Sequence, residues 1–205
     1  MLRVGLTGGI ACGKSAVAAM LRDLDCTVLE ADPLVHELLE PGQPVYDEIV
    51  RQFGVGILDA NQKIDRAKLG AIVFADVTQL FRLNKIVHPR VLEIITQWFA
   101  ALDRQGGPDF AISEAALLVE SGFAEKLDRV IVVWCRPEQQ RERLRERGLT
   151  PEQIEQRIEA QMPIDEKRQV ADDVIDNSGT IEETETQVKE LVAKLTQLAA
   201  ASTDL

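Results

Sequence analysis

The residues best suited to chemistry form a glycine-rich stretch near the start of the chain, Gly8-Gly9-Ile10-Ala11-Cys12-Gly13-Lys14-Ser15. This stretch fits the pattern G-x-x-x-x-G-K-[ST], whose glycines let successive backbone N–H groups turn inward toward phosphate oxygens. In such a loop the lysine reaches the β- and γ-phosphates and the serine hydroxyl ligates Mg²⁺. The pattern therefore predicts a phosphate-binding loop. The alternative is a glycine-rich turn with an unrelated lysine.

The surroundings of this loop favour the first interpretation. Leu2–Thr7 reads as a short buried strand, and apolar residues recur at helical spacing after the loop. Strand, loop and helix are the context that the pattern needs, because the positive end of the helix dipole then also faces the phosphates. The residues predicted to bind ATP phosphates are Gly9, Ile10, Ala11, Cys12, Gly13, Lys14, Ser15 and Ala16, and Lys14 is also predicted to act in catalysis.

Two carboxylates follow predicted strands and are candidates for catalysis and metal binding. Asp32 comes just after Thr27–Glu30, and Glu114 ends Phe110–Ser113. Carboxylates at the C-terminal ends of parallel strands face the ligand crevice of open α/β sheets. Asp32 could take a proton from an acceptor hydroxyl, or cap the helix that Pro33 is placed to open. Glu114 could hold Mg²⁺ through water, or be a cap or a solvated edge residue.

A basic segment with four arginines lies between the last two predicted strands, and Arg143 and Arg147 share one helical face in it. Guanidinium groups suit bidentate phosphate contacts, and a closing lid would exclude water from phosphoryl transfer. Because no apolar stripe is evident, we expect a mobile basic cover rather than packed core. The alternative is a solvated surface helix whose charge neighbouring glutamates partly balance.

Two further side chains could touch a ligand. His88 precedes Pro89, where we expect a helix to start or to kink, and it could contact a substrate or merely cap or pack. Asn177 follows the last predicted strand and could read a base edge or only form a turn. Cys12 lies at the start of a helix, which predicts a lowered thiol pKa and redox sensitivity.

The elements around these residues predict an α/β fold. Five short strands alternate with helices and give a doubly wound parallel sheet, typical of phosphate-loop kinases. We predict one chain, 1–205, with a nucleotide-binding core of residues 1–33, 108–136 and 171–205. Residues 34–107 form a helical insertion and residues 137–170 form the lid. Capping boxes start the helices after Thr150 and Thr180.

Composition narrows the class of protein. The chain has 205 residues and a formal net charge of −11, which argues against general binding to nucleic acid or to an anionic membrane. No apolar run is long enough to span a membrane, and no secretory signal is recognisable. Three scattered cysteines cannot all pair within the chain, so we expect a cytoplasmic protein. We also expect a monomer or a weak homo-oligomer.

Many short motifs in order make the chain similar to the dephospho-CoA kinase family over nearly its whole length. The matching residues are Gly5-Leu6-Thr7-Gly8-Gly9-Ile10, Gly13-Lys14-Ser15, Ala31-Asp32, Glu40-Pro41-Gly42, Phe53-Gly54, Asp65-Arg66, Val73-Phe74, His88-Pro89, Leu117-Leu118, Glu120-Ser121-Gly122, Gln140, Arg143, Arg147, Gln161, Ala171-Asp172 and Asp176-Asn177-Ser178-Gly179.

The resemblance implies transfer of the γ-phosphoryl group of ATP to the ribose 3′-hydroxyl of dephospho-CoA, with Mg²⁺ as cofactor. It implies that Asp32 is the catalytic base, that the insertion binds the CoA moiety and that His88 contacts it. It further implies that Arg143 and its neighbours, including Arg147, belong to the lid, and that Asn177 lies near adenine. We predict that Arg143 acts in catalysis by offsetting charge on the transferred group and that Arg147 binds ATP.

The chain departs from the family pattern at four positions. Ala11 and Cys12 stand where the loop usually has glycine and serine, and Ala11 would be strained only if its φ is positive. Glu114 and Ala116 stand where the family has aspartate and proline, which leaves the metal role of Glu114 open. Two rival functions also stay open: another small-molecule kinase of this fold, or a nucleotide-binding module without catalysis. A guanine-reading N-K-x-D motif is absent, which disfavours a translation-type GTPase.

Overall fold

The structure is a computed structural model that describes residues 1–203. Residues 204 and 205, the end of the predicted nucleotide-binding core, lie outside this range. The chain divides into two compact units. The first comprises Met1–Leu29 and the described chain from Gln97 onward, and the second comprises Glu30–Thr96. No helix in the described part of the chain combines the length and the hydropathy needed to cross a bilayer.

A five-stranded sheet is the centre of the fold, with the order β2-β3-β1-β4-β5. The strands are β1 (Leu2–Gly8), β2 (Val28–Glu30), β3 (Phe110–Glu114), β4 (Arg129–Trp134) and β5 (Asp173–Asp176). The central strand β1 pairs in parallel with β3 on one side and with β4 on the other, and β4 pairs in parallel with β5. The predicted parallel α/β fold is confirmed by these parallel pairings.

Helices flank these strands along the chain. They are α1 (Lys14–Asp23), α2 (Ala31–Leu38), α3 (Pro44–Phe53), α4 (Arg66–Val73), α5 (Val77–Arg104), α6 (Pro137–Glu146), α7 (Pro151–Glu159), α8 (Ile164–Gln169) and α9 (Ile181–Thr203). Helix α9 packs against α1, and its residues Val188 and Leu195 are fully buried. Both predicted capping boxes are present: the Thr150 hydroxyl accepts from Gln153 N–H, and the Thr180 hydroxyl accepts from Glu183 N–H.

Two predictions about the second unit are corrected by the structure. Helix α2 begins at Ala31, so Asp32 lies in its first turn and is not its N-cap. A carboxylate in the first turn still interacts favourably with the helix dipole. Helix α5 continues through Pro89, so no new helix starts there and His88 lies within a helix. Val87, Val91 and Ile95, at four-residue spacing on the two sides of Pro89, are buried. Their packing offsets the loss of the backbone hydrogen bond that proline removes.

The expected mobile, unpacked lid is also corrected. Leu144 of α6 is only 2% exposed and clusters with Ile154 of α7 and with Ala11 of the glycine-rich loop. Ile10, Leu149 and Ile158 pack against this cluster. The few apolar residues of the basic segment are separated by arginines in the sequence, so they form no continuous apolar stripe along a helix. The basic segment is therefore held on the loop by a small hydrophobic core of its own.

Candidate active site

The glycine-rich loop runs from the end of β1 to the start of α1, as the sequence predicts. Gly13 is the N-cap residue of α1 and has a φ of 94°, a conformation that favours glycine. A Cβ atom at Gly13 would lie 1.9 Å from the side-chain nitrogen of Asn177. Glycine is therefore required here for its conformation and for the close approach of a second segment.

Lys14 and Glu114 form the central ion pair of the site. Lys14 begins α1, Glu114 ends β3, and the Lys14 Nζ contacts Glu114 Oε1. The glutamate side chain is 3% exposed and the lysine side chain 10% exposed, so the charges lie in a largely dehydrated environment. The attraction is stronger there than in water, and it keeps a cation next to the loop where an anionic ligand would bind.

Two glutamines from the lid hold the peptide groups of Ile10. Gln140 of α6 donates from Nε2 to the Ile10 carbonyl at 2.8 Å, and Gln161, just after α7, accepts from Ile10 N–H at 2.9 Å. Gln140 is buried. Both glutamines belong to the family resemblance, but the sequence assigned no role to either. The lid residues therefore help to set the path of the loop backbone.

Arg143 and Asn177 hold the next part of the loop. Arg143 donates to the Ala11 carbonyl at 3.1 Å and to the Asn177 carbonyl at 3.0 Å. The Asn177 Nδ2 donates to the Cys12 carbonyl at 2.8 Å, and its Oδ1 accepts from the Thr184 hydroxyl at 3.0 Å. The Asn177 amide therefore contacts the loop through Nδ2 and α9 through Oδ1, so both of its polar atoms are engaged within the protein. Arg147 is exposed at the end of α6.

Some N–H groups predicted to contact phosphate have acceptors within the protein. Ile10 N–H donates to Gln161, Cys12 N–H to the Gly9 carbonyl and Ala16 N–H to the Gly13 carbonyl. Gly9, which was also predicted to bind phosphate, approaches Gln140 so closely that a Cβ atom would lie 2.5 Å from its Nε2. Ser15, the predicted hydroxyl ligand of Mg²⁺, is exposed at the start of α1.

The environment of Cys12 is opposite to the prediction. Its sulfur lies 3.3 Å from the sulfur of Cys135, and both thiols are fully buried. The hydrogen bond with Cys135 and burial both raise the pKa of Cys12, and they outweigh the helix dipole that the sequence suggested. The predicted low-pKa thiol is therefore wrong.

The second unit carries the other predicted site residues. Asp32 is exposed in the first turn of α2, two residues after β2 ends, and His88 is half-buried in α5. Arg90, which follows on the same helix, pairs with Glu93. Within this unit α3 and α4 both pack against the 3₁₀ turn Val55–Ile57, and Lys63 forms an ion pair with Glu40 at 2.6 Å.

The donor set around the loop suits phosphate more than it suits a tightly held metal. Among the described residues no group of three or more His, Cys, Asp or Glu side chains could bind a metal ion together. Magnesium needs few protein ligands, because it keeps several waters and takes further oxygens from the phosphates of its nucleotide. A hydroxyl on Ser15 and a buried carboxylate on Glu114 fit such a site.

Comparisons with known proteins agree with this chemistry. The family model described as dephospho-CoA kinase matches residues 2–183. A dephospho-CoA kinase from Aquifex aeolicus is 47% identical over 197 residues, which cover 96% of this chain and 99% of that protein. Another, from Thermobifida fusca, is 46% identical over 196 residues, covering 95% of this chain and 96% of that protein.

Solved structures give the same result. The crystal structure of TT1252 from Thermus thermophilus is similar with a TM-score of 0.76 and 32% identity, covering 95% of this chain and 97% of that chain. Dephospho-CoA kinase from Campylobacter jejuni is similar with a TM-score of 0.68 and 27% identity, covering 95% of this chain and 97% of that chain. Shikimate kinase from Bacteroides thetaiotaomicron, at 14% identity and a TM-score of 0.53, covers 95% and 98% and shares the fold.

Proposed function

The chain belongs to the dephospho-CoA kinase family, and from this premise we propose how its residues divide the work of phosphorylating dephospho-CoA with ATP. The reaction belongs to coenzyme A biosynthesis and makes the protein a kinase. The single observation that supports the assignment of roles is the Lys14–Glu114 pair beside a glycine-rich loop at the N-terminus of α1.

We propose that the loop binds the ATP phosphates through its backbone N–H groups and through Lys14. Lys14 pairs with Glu114, and with ATP bound its ammonium would instead contact the β- and γ-phosphate oxygens. Phosphoryl transfer has little covalent chemistry for the protein to perform, so charge stabilisation by Lys14 would be a large part of catalysis.

The same exchange would release the Glu114 carboxylate for a metal. We propose that the Ser15 hydroxyl and Glu114, acting through water, hold the Mg²⁺ that neutralises charge on the phosphate oxygens. Glutamate reaches one methylene further than the aspartate usual in the family, and its burial next to Lys14 supports this assignment.

We propose that Asp32 accepts the proton of the ribose 3′-hydroxyl as the oxygen attacks the γ-phosphorus. Its support is chemical: Asp32 is an exposed carboxylate immediately after a strand of the parallel sheet, and it does not serve as a helix cap. The helical insertion, residues 34–107, would bind the CoA moiety, and His88 would contact it.

We propose that the lid, residues 137–170, excludes water during transfer. Arg143 and Arg147 would bind phosphate oxygens when the lid is fully closed, and Asn177 would lie near adenine. Arg143 already lies beside the loop, where it contacts the Ala11 carbonyl. Residues 1–33, 108–136 and 171–205 would form the nucleotide-binding core.

We further propose a cytoplasmic monomer or weak homo-oligomer that acts on small molecules and not on nucleic acid or membranes. The three cysteines are thiols and form no disulfide, as expected in a reducing compartment. The net charge of −11 also disfavours anionic polymers and surfaces as partners.

The decisive measurement is ADP release from ATP, coupled to a spectroscopic readout, with different acceptors. We expect turnover with dephospho-CoA and little or none with nucleosides or nucleoside monophosphates. Turnover that prefers a nucleoside monophosphate would support the rival small-molecule kinase. ATP binding without turnover on any acceptor would support the non-catalytic module.

Replacing Asp32 with alanine tests the proposed base. We expect kcat to fall by about 10² to 10⁴, as for loss of a general base, while the Kd for ATP stays within about twofold. Lys14→Ala should instead weaken ATP binding and lower kcat. The matched control is Asp47→Ala, which removes an exposed aspartate from the first turn of α3 in the same unit. Full activity of Asp32→Ala would exclude the base role.

A further inference from the structure

Lys167 is a charged side chain that the surrounding protein encloses completely. It belongs to α8, and its side chain is 0% exposed. Enclosing an ammonium ion is costly unless its charge is paired and its donors are satisfied. Lys167 lies within the predicted lid, residues 137–170, and its burial is a finding of the tertiary structure.

Three acceptors satisfy the Lys167 ammonium. Its Nζ donates to the Ala116 carbonyl at 2.8 Å and to the Gly8 carbonyl at 3.4 Å, and it pairs with Glu120 Oε1 at 2.8 Å. An ammonium has three donors, so its hydrogen-bonding capacity is matched. The same Glu120 oxygen accepts from Met162 N–H at 3.0 Å, which links the pair to the segment between α7 and α8.

The two carbonyls belong to the segments that carry the nucleotide chemistry. Gly8 is the last residue of β1 and the first of the glycine-rich loop. Ala116 comes two residues after Glu114, which pairs with Lys14, and its carbonyl also accepts from the Thr7 hydroxyl at 3.1 Å. The Lys167 ammonium therefore links Gly8, where the loop begins, to Ala116, which follows Glu114 in the chain.

We propose that Lys167 is a positioning residue for phosphate transfer. Through Gly8 and Ala116 it fixes the loop relative to Glu114, and through Glu120 it makes this arrangement depend on the docking of α8. Glu120 is the counter-charge that holds the ammonium in place. Lys167 acts through these backbone groups and touches neither substrate. This role rests on the proposed kinase function.

The test compares steady-state kinetics of Lys167→Met with the parent enzyme. Methionine keeps the apolar length of the side chain but leaves both carbonyls without their donor. We expect kcat/KM for ATP to fall by about tenfold to a hundredfold, because a small displacement of aligned groups has this effect. The KM for dephospho-CoA should change by less than about twofold.

Two controls separate positioning from stability. Lys194→Met removes a lysine of α9 that forms an ion pair with Asp173 of β5, and it should leave the kinetics unchanged. Assays run well below each variant's Tm remove the effect of unfolded enzyme. If Lys167→Met lowers Tm but keeps kcat and the KM for ATP within about twofold of the parent, Lys167 is only structural and the proposal fails.

Further variants keep the proposal testable if Lys167→Met does not fold. The double variant Lys167→Met/Glu120→Gln avoids an unpaired buried charge and is judged by the same criteria. Glu120→Gln alone keeps the shape of the pair and weakens it, and we expect the KM for ATP to rise severalfold. If these variants keep the kcat and the KM for ATP of the parent enzyme, the proposal is overturned. An inactive parent enzyme would instead contradict the proposed function.

Discussion

At the scale of single residues, the loop conformation depends on side chains that approach it from other segments. Ala11 adopts a φ of 59°, which costs a non-glycine residue roughly 1–2 kcal/mol. Its methyl group is buried against Leu144 and Ile154, and this burial offsets part of the strain. Alanine is therefore tolerated at a position where the family usually has glycine.

Gly13 is the loop residue at which a substitution should be most damaging. In Gly13→Ala the new Cβ would collide with the Asn177 amide in addition to the strain of a φ of 94°. We expect the free energy of unfolding to fall by more than about 2 kcal/mol and the KM for ATP to rise at least about tenfold. Urea denaturation and ADP-release kinetics measure the two effects.

Gly148 provides the matched control for this substitution. Its φ is 82°, but a Cβ there would meet nothing within 4 Å. Gly148→Ala should therefore show the conformational cost alone, about 1 kcal/mol, without a change in the KM for ATP. Equal effects of the two substitutions would mean that the approach of Asn177 to the loop is unimportant.

Thiol reactivity tests the environment of Cys12. Alkylation requires the thiolate, and the raised pKa of Cys12 means that little thiolate forms near neutral pH. Cys26, whose pKa is also raised but which is only half-buried, should react first in the native enzyme. We expect iodoacetamide at pH 7.5, followed by mass spectrometry, to label Cys12 far more slowly than Cys26, with faster labelling as pH rises.

The control for the labelling experiment is Cys26→Ser, which should remove the fast phase. Mild peroxide should likewise leave activity unchanged in the parent and in Cys12→Ser. Rapid labelling of Cys12 at pH 7.5, at the rate of a free cysteine, would contradict the assigned pKa shift.

At the scale of elements, α6 and α7 form a small packing unit over the loop. Arg141 of α6 and Glu155 of α7 form a bidentate pair with N–O distances of 2.7 and 2.9 Å. This pair is partly exposed and contributes little to stability by itself. Leu144 is buried in a cluster with Ile154 of α7 and Ala11 of the loop, so hydrophobic contact attaches this segment to the loop in addition to its hydrogen bonds.

Leu144→Ala should loosen this attachment. Removing a buried leucine side chain typically lowers the free energy of unfolding by about 2–5 kcal/mol. We expect the loss of packing to affect mainly the loop and helices α6 and α7. The KM for ATP should rise severalfold and kcat should fall, as measured by ADP release.

Leu195→Ala is the matched control, because Leu195 is equally buried but lies in α9, outside the Leu144 cluster. It should lower Tm without raising the KM for ATP. If both variants lose ATP affinity to the same extent, the Leu144 cluster has no special role in holding the loop.

At the scale of the whole molecule, an acidic protein must bind two anionic substrates. The net charge is −11, so attraction has to come from local cations and oriented N–H groups. The parallel sheet supplies this arrangement, since β1 and β3 end next to each other and bring the loop beside Glu114. Cations from the lid, Arg143 and Lys167, then reach the loop backbone.

The sequence by itself determined the parallel α/β fold, the position of the glycine-rich loop between β1 and α1, and the helix caps at Thr150 and Thr180. These features follow from local backbone preferences and from hydrophobic periodicity, both of which operate over a few residues. The family resemblance added the substrate, because many short motifs occurred in the same order.

Only the tertiary structure decided which distant side chains meet. Lys14 pairs with Glu114, Cys12 meets Cys135, and Lys167 is buried on the Gly8 carbonyl. Each of these pairs is separated by at least 100 residues in the chain. Burial, charge pairing and the pKa of a thiol depend on such neighbours. Local patterns in the sequence carry no record of them, because they arise only when the strands and helices pack.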